Sequence, residues 1–417
     1  MSADFRIIIV GGGIAGLAAA VALRGENRQI TVYEQSSKLT EIGAAISLQP
    51  NASKIVEDWW GLKDALKQRV RKSSVDQGFR LYQADGVLVK QVPLQTREKY
   101  GGDRIVYHRQ DLQDVLREAA TDTVRPGRPV LIRTSSRVMS CDVEAGSITL
   151  DDGTTATADL VVAADGIKSK MRRFVLGREQ SAVPTGHSAF RFLIPMEDLE
   201  SVSEFTQFIN PREEYTTMVL CHDHRLIMGP VRKGESYLVV ALVPDEMLLE
   251  DSSSTSWTST GDKSKMLETF SDVPEWLTKP FRNVSSLGLW QLRDLDPLET
   301  WFNGRVMLIG DAAHAMLPTQ GQGASQAVED AEALSAFLED NTSRPSADKI
   351  HRCLEKVFAA RHERVTSIQQ YSRQQARPAT DKDSLKIKMN PEEFTAFNYM
   401  YNGAKEWLSR SRGTDNA

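Results

Sequence analysis

From Phe5 to Val10 the chain is apolar and largely β-branched apart from Arg6. It runs directly into Gly11-Gly-Gly13-Ile-Ala15-Gly16 and an Ala/Leu-rich stretch ending at Leu23. An apolar run without alternation is buried on both faces, which places it in a parallel sheet covered by helices. Gly11 permits the tight turn, Gly13 lets a pyrophosphate approach the main chain, and Gly16 lets the helix lie close on the strand. A second strand from Gln29 to Tyr33 completes a strand–helix–strand unit of the kind that binds a dinucleotide.

That second strand ends in Glu34, about 20 residues beyond the glycines, where an acid would bind a ribose hydroxyl. An acid here favours a free 2′-hydroxyl, and so FAD or NAD rather than NADP as the resident nucleotide. A bare glycine fingerprint is a weak signal. Here the strand, helix, second strand and acid occur in order, which disfavours a glycine turn without a ligand. The fingerprint occurs once, so a nicotinamide cofactor would visit the protein rather than reside in it.

Two more segments run from an apolar strand through a glycine turn toward a helix: Asp159-Leu-Val-Val-Ala-Ala-Asp165-Gly166, and Arg305 to Ala331, containing Gly310-Asp311-Ala-Ala-His314, Pro318, Gly321 and Gly323. Such turns bring backbone N–H groups against phosphates. Three of them point to one long cofactor held by a discontinuous domain. The expected architecture is α/β: a Rossmann-like FAD-binding domain from residues 1–75, 104–180 and 290–345, an interleaved β-sheet substrate domain from 76–103 and 181–289, and a C-terminal helical region, 346–417. The interleaved sheet is read from alternating and β-branched stretches such as Phe190 to Ile194, Thr216 to Leu220 and Tyr237 to Val243. The Ser/Thr-rich stretch Glu250 to Lys265 reads as an exposed loop.

The 417 residues, 41% hydrophobic and 26% charged, have ordinary globular composition, and a net charge of -5 leaves no basic footprint for nucleic acid. The apolar segment Ile7 to Leu23 is broken by glycines and is neither leader nor membrane span, so a cytoplasmic protein is expected. Cys141, Cys221 and Cys353 show no metal or redox spacing. His222-Asp223-His224 lacks a third ligand cluster and reads as a solvated turn between strands, and no metal is expected.

These residues carry a family resemblance. The chain resembles the class A FAD-dependent aromatic hydroxylases, single-component flavoprotein monooxygenases, and most of all their salicylate hydroxylase-like fungal members. The turn Gly11/Gly13/Gly16 with Ala15 and Glu34 is similar to the family's ADP-binding motif. Asp165-Gly166-Ile-Lys-Ser169-Lys-Met-Arg172 resembles its Asp-Gly motif, and Gly310-Asp311 with Pro318, Gly321 and Gly323 its Gly-Asp motif, whose aspartate holds the ribityl chain. Arg109, in Tyr107-His-Arg109-Gln-Asp-Leu112, resembles an arginine that reaches FAD. Ala45, in Gly43 to Asn51, lies in the segment resembling the loop beside the flavin ring.

The resemblance implies FAD as cofactor, NADPH or NADH as transient co-substrate, dioxygen, and a small aromatic or alkene-containing substrate. One oxygen would pass from a peroxide adduct of reduced flavin to an electron-rich carbon, hydroxylating a phenol or aromatic acid, with loss of the carboxylate when attack falls at that carbon. Epoxidation of an indole or alkene, dearomatisation of a polyketide phenol, and a non-catalytic FAD-binding protein stand as alternatives. The helix starting near Ala324 would aim its N–H groups at the flavin's pyrimidine edge, with Pro318 at the head of that turn. Arg191, flanked by Phe190 and Phe192, is costly in an apolar strand unless it meets an anion: either a substrate, as the resemblance implies, or a structural carboxylate. Tyr215 could offer the substrate a hydroxyl. Some members have histidine where this chain has Ser47, which leaves substrate deprotonation unassigned. His314 reads as structural, and the tryptophans, including Trp290 and Trp301, as core.

Overall fold

A computed structural model describes residues 4–39, 45–69, 76–222, 224–231, 234–248, 258–284, 287–339, 344–376 and 390–414. The apolar run Phe5–Val10 is the interior of a six-stranded sheet, paired in parallel with Arg28–Tyr33 on one side and Leu160–Ala163 on the other. Val306–Leu308 follows beside Leu160–Ala163, and Leu131–Arg133 beside Arg28–Tyr33. Ile7, Ile9, Val32, Leu160, Val161 and Val162 are almost fully buried, as double-sided covering requires. The helix Ile14–Ala22 lies so close that a Cβ on Gly16 would fall 1.9 Å from the Gly11 carbonyl oxygen. Beside it packs Gly323–Leu338, tied by the Ser335 hydroxyl donating to the Ala22 carbonyl at 2.6 Å.

A second sheet of eight strands takes its members from segments lying between those of the first. Its order is Thr258–Thr260, Leu287–Asp294, Val183–Pro195, Ser236–Pro244, Arg225–Val231, Tyr215–Leu220, Gly78–Gln83, Leu88–Pro93. All neighbours are antiparallel except Tyr215–Leu220 with Gly78–Gln83. Ser236–Pro244 shows the logic: Tyr237, Val239, Ala241 and Val243 are buried with Phe205, Phe270 and Phe281, while Leu238, Val240 and Leu242 face a cavity. The architecture is therefore the α/β arrangement expected, a parallel-sheet nucleotide domain with an interleaved antiparallel sheet and C-terminal helices. Leu287–Asp294 stays in the antiparallel sheet through Asp294, past the expected boundary at 290.

One local expectation is corrected, and the C-terminal helical region is as expected. Within Glu250 to Lys265, residues 250–257 lie outside the described residues, but Thr258–Thr260 forms an edge strand and Lys263–Thr269 a helix. The Asp262 carboxylate starts that helix by accepting the Ser264 N–H at 2.8 Å, so a polar stretch that resembles a loop is a cap. The C-terminal region contains the 30-residue helix Ala347–Ala376, then Pro391–Tyr399, opened by an Asn390/Glu393 capping box, and Ala404–Thr414. No helix among the described residues is long and apolar enough to cross a membrane.

Candidate active site

A cavity of about 990 Å³ lies between the two sheets. At its nucleotide end it is lined by Gly13, Ile14 and Ala15, the first residues of the helix that follows the opening strand. A Cβ on Gly13 would meet nothing within 4 Å, so the space over this helix start is open to a ligand. Gly11 serves the chain instead: its φ is +105°, and a Cβ there would sit 2.4 Å from the Ala164 carbonyl oxygen. Glu34, expected at a ribose hydroxyl, braces the glycine turn. Its two carboxylate oxygens accept the N–H groups of Gly12 at 2.7 Å and Ser36 at 2.8 Å, which holds the glycine turn shut, and the residue does not line the cavity.

Of the Asp-Gly motif, Gly166 lines the cavity while Asp165 does not. The Asp165 carboxylate accepts from the Ser169 hydroxyl at 2.6 Å and from the N–H groups of Lys170 and Met171 at 2.8 and 3.1 Å, capping the helix Met171–Leu176. Burial outweighs those bonds and raises its pKa. Asp165 therefore shapes the turn rather than touching the cavity. Arg172, almost fully buried, locks this turn to the next one: its guanidinium donates to the carbonyls of Ala312 at 2.8 Å, Asp311 at 3.1 Å and Ile167 at 3.2 Å. Its role was not legible beyond its place in the motif, because all its partners are main-chain atoms.

Asp311, Pro318, Gly321, Gly323 and Ala324 all line the cavity. Asp311 is exposed to it, and no hydrogen bond to its carboxylate is made among the described residues. Gly321 turns the chain with φ +60°, delivering the start of Gly323–Leu338 to the cavity wall. Against this turn stand Ala45 and Ser47, with the Gln49 amide donating to the Ser47 hydroxyl at 3.2 Å; Gly43 and Ala44 lie outside the described residues. Arg109 begins the helix Arg109–Thr121 and also lines the cavity.

Behind the Gly-Asp turn lies a fully buried charge network that sequence reasoning missed. Asp330 accepts from the Gly310 N–H at 2.9 Å, from His314 Nε2 at 2.6 Å and from Arg361 Nε at 3.0 Å. Glu329 pairs with Arg361 and with Arg364, and accepts from Asn51 at 2.5 Å. Burial alone would raise both carboxylates; Arg361 and Arg364 for Glu329, and His314 and Arg361 for Asp330, reverse this and hold them below the usual range. His314 is structural, as expected. The available signal was the Glu329-Asp330 pair inside an apolar helix, matched by Arg361 and Arg364 at helical spacing.

The far wall of the cavity is the antiparallel sheet. Arg191 faces the cavity, its guanidinium 5.2 Å from the centre of the Trp290 ring. Its Nε is buried without a hydrogen-bond partner among the described residues. Burial, then the nearby charge of Arg109, lowers its pKa, so this cation is poorly compensated by the chain. The expected alternative, pairing with a structural carboxylate, finds no such partner among the described residues. Trp290, expected in the core, is buried and also lines the cavity, and Trp301 is buried against His314.

Tyr215 is corrected. Along its strand Thr216, Met218 and Leu220 face the cavity, so alternation turns Tyr215 away; Arg80 lies 3.6 Å over its ring and its hydroxyl accepts from Gln91 at 3.4 Å. The solvated turn expected at His222-Asp223-His224 holds for His222, which is exposed between two strands, but not for His224. Asp223 lies outside the described residues, but His224 is fully buried, with Nε2 3.1 Å from Asp272 and its ring against Phe270.

The donor set fits FAD: an open helix start at Gly13, an uncommitted carboxylate at Asp311, and a second helix start at Gly323 where a Cβ would meet nothing within 4 Å. Comparison with known proteins agrees. Residues 4–351 match the family described as FAD binding domain. Hispidin-3-hydroxylase of Neonothopanus nambi is 32% identical over 352 residues, covering 82% of each chain. 3-Hydroxybenzoate 6-hydroxylase 1 of Aquipseudomonas alcaligenes is 32% identical over 381 residues, covering 88% of each. A salicylate hydroxylase solved as a substrate complex superposes with a TM-score of 0.78 at 27% identity, over 98% of both chains. The chain belongs to the FAD binding domain family and is an FAD-dependent monooxygenase of the class A aromatic hydroxylase type.

Proposed function

We propose that this monooxygenase uses NADH or NADPH and dioxygen to hydroxylate a phenolic or carboxylated aromatic compound. The observation that carries this reading is Arg191: a cavity-facing guanidinium above Trp290, with a buried Nε that no described group accepts. Such a cation calls for an anion, and a carboxylate or phenolate answers it with charge-assisted hydrogen bonds. Relatives named as hydroxylases of 3-hydroxybenzoate and hispidin support an aromatic substrate.

FAD, when bound and reduced by the visiting nicotinamide, supplies the activation of dioxygen. The chain's own part is placement and electrostatics. The N–H groups at Gly13, Ile14 and Ala15 receive a pyrophosphate, and Asp311 and Arg109 hold the cofactor along its length. The start of the helix Gly323–Leu338 presents N–H groups and its positive dipole end to an electron-rich ring edge. Arg191 orients the substrate and favours the ionised form of a phenol, which is the more electron-rich. Leu238, Val240 and Leu242 keep the reacting space apolar and exclude water.

The test is to record the absorbance of the purified protein and follow NADH and NADPH oxidation with a panel of phenols, aromatic acids, indoles and alkenes. A flavin spectrum with oxidation stimulated by a phenol or aromatic acid supports the reading. Stimulation by an indole or alkene alone redirects it to epoxidation, and bound flavin with no stimulation favours a non-catalytic protein.

A further inference from the structure

The cavity wall has a direction. In register across five adjacent strands stand Arg191, Val240, Ile227, Met218 and Leu81, each paired with the next. All five line the cavity. Adjacent strands are spaced by about 4.8 Å, so the row extends about 19 Å from its cation to Leu81. The four apolar members are partly exposed to the cavity, whereas Val239, Leu226 and Val219 beside them are buried on the other face of the sheet. A one-ring acid pinned at Arg191 reaches Val240 and leaves the rest of the row uncovered.

The two ends of the row differ in charge. At the Arg191 end no described carboxylate offsets the cation. Toward the other end, two residues along the strand from Met218, Thr216 bridges Arg104 and its partner Asp76: its hydroxyl donates to Asp76 at 2.5 Å and accepts from Arg104 at 2.6 Å. Tyr399, from the C-terminal helix Pro391–Tyr399, lines the same end and donates its hydroxyl proton to Gln49 at 3.0 Å, which leaves its oxygen able to accept. This end is polar with its charge offset, and suits an uncharged hydroxyl rather than a second anion.

We infer that the substrate is an elongated, two-ended aromatic of more than one ring. Its acidic group sits at Arg191 and Trp290, its ring system lies along Val240, Ile227 and Met218, and a distal hydroxyl meets Tyr399 and Thr216. This rests on the proposed role of Arg191 as the anion site and adds the size and the second recognition end.

The experiment titrates the FAD-loaded protein with three probes, followed by the flavin absorbance change: para-hydroxybenzoate, stilbene-para-carboxylate, and the same stilbene acid carrying a para-hydroxyl on its far ring. The hydroxystilbene acid should bind at least about tenfold tighter than para-hydroxybenzoate. Removing its distal hydroxyl should weaken binding in the parent protein and have little further effect in Tyr399→Phe. Ile227→Trp, which fills the middle of the row, should reduce the ratio of stilbene to benzoate affinity by about tenfold. Ile227→Ala should lower the same ratio without overpacking the sheet. Equal or tighter binding of para-hydroxybenzoate, or Ile227 variants that leave the ratio unchanged, would overturn the elongated substrate while leaving the aromatic monooxygenase intact, provided one-ring acids still stimulate NAD(P)H oxidation. Failure of all three acids to bind would overturn both.

Discussion

The Asp330 carboxylate holds the backbone N–H of Gly310 at 2.9 Å, and with the same oxygen holds His314 Nε2 at 2.6 Å. Both ends of the short helix Asp311–His314 are therefore fixed from behind by one buried group, which Arg361 in turn anchors to the long C-terminal helix. The cavity-facing Asp311 owes its position to a carboxylate that never touches the cavity.

Asp330→Ala leaves Arg361 and His314 with a buried, unmatched partner site, and should cost about 3–5 kcal/mol of stability. Because the folded-state values of Asp330 and Glu329 are lowered, their contribution is full above the usual carboxylate range and is lost as pH falls through the folded values. The variant should therefore unfold more easily at neutral pH and show a shallower loss of stability on acidification. Denaturant titrations across pH check this; an acid profile identical to the parent's would contradict it.

Gly13→Val should abolish FAD retention without unfolding the chain, since a Cβ at this position meets nothing in the protein. Thermal unfolding of flavin-free parent and variant should coincide, while the variant purifies colourless. Full flavin occupancy in the variant would refute the assignment of this helix start to the pyrophosphate.

Asp311→Ala should weaken FAD by roughly tenfold or more, the loss of a charge-assisted hydrogen bond worth about 1.5–3 kcal/mol. Titration of the flavin-free protein with FAD, followed by quenching of flavin fluorescence, reads this directly. Unchanged affinity would reject the ribityl role.

Arg191→Met should leave FAD bound and lower kcat/KM for an aromatic acid by about 2–5 kcal/mol in transition-state terms, or more than tenfold. Most of the loss should vanish for a neutral analogue lacking the acidic group. Equal losses for acid and analogue would return Arg191 to a structural role.

The nucleotide end of the site was legible because its physics is local. The Phe5–Val10 strand, the Gly11/Gly13/Gly16 turn and the Gly310-Asp311 turn each act through main-chain geometry within a few residues. Glu34 and Asp165 were in the right motifs but are occupied by neighbouring N–H groups, which spacing alone does not reveal. The substrate wall was less accessible. Tyr215 was misassigned because the face a strand presents depends on sheet register, and a one-residue choice reverses it. Tyr399 and the Arg361/Arg364 pair come from the C-terminal helices, whose docking is set by tertiary contacts: Tyr399 with Gln49, 350 residues away, and the arginines with Glu329 and Asp330 on a separate helix, 31 to 35 residues away.

The most direct test of the central claim is a turnover of the purified protein with NADH or NADPH and an aromatic acid under isotopically heavy dioxygen, with mass analysis of the product. The account predicts one heavy oxygen atom in the product for each nicotinamide consumed, carried on the aromatic ring, and loss of that product in Arg191→Met with flavin still bound. Product oxygen drawn from water, or nicotinamide consumption that yields only hydrogen peroxide with every aromatic acid and phenol tried, would contradict it.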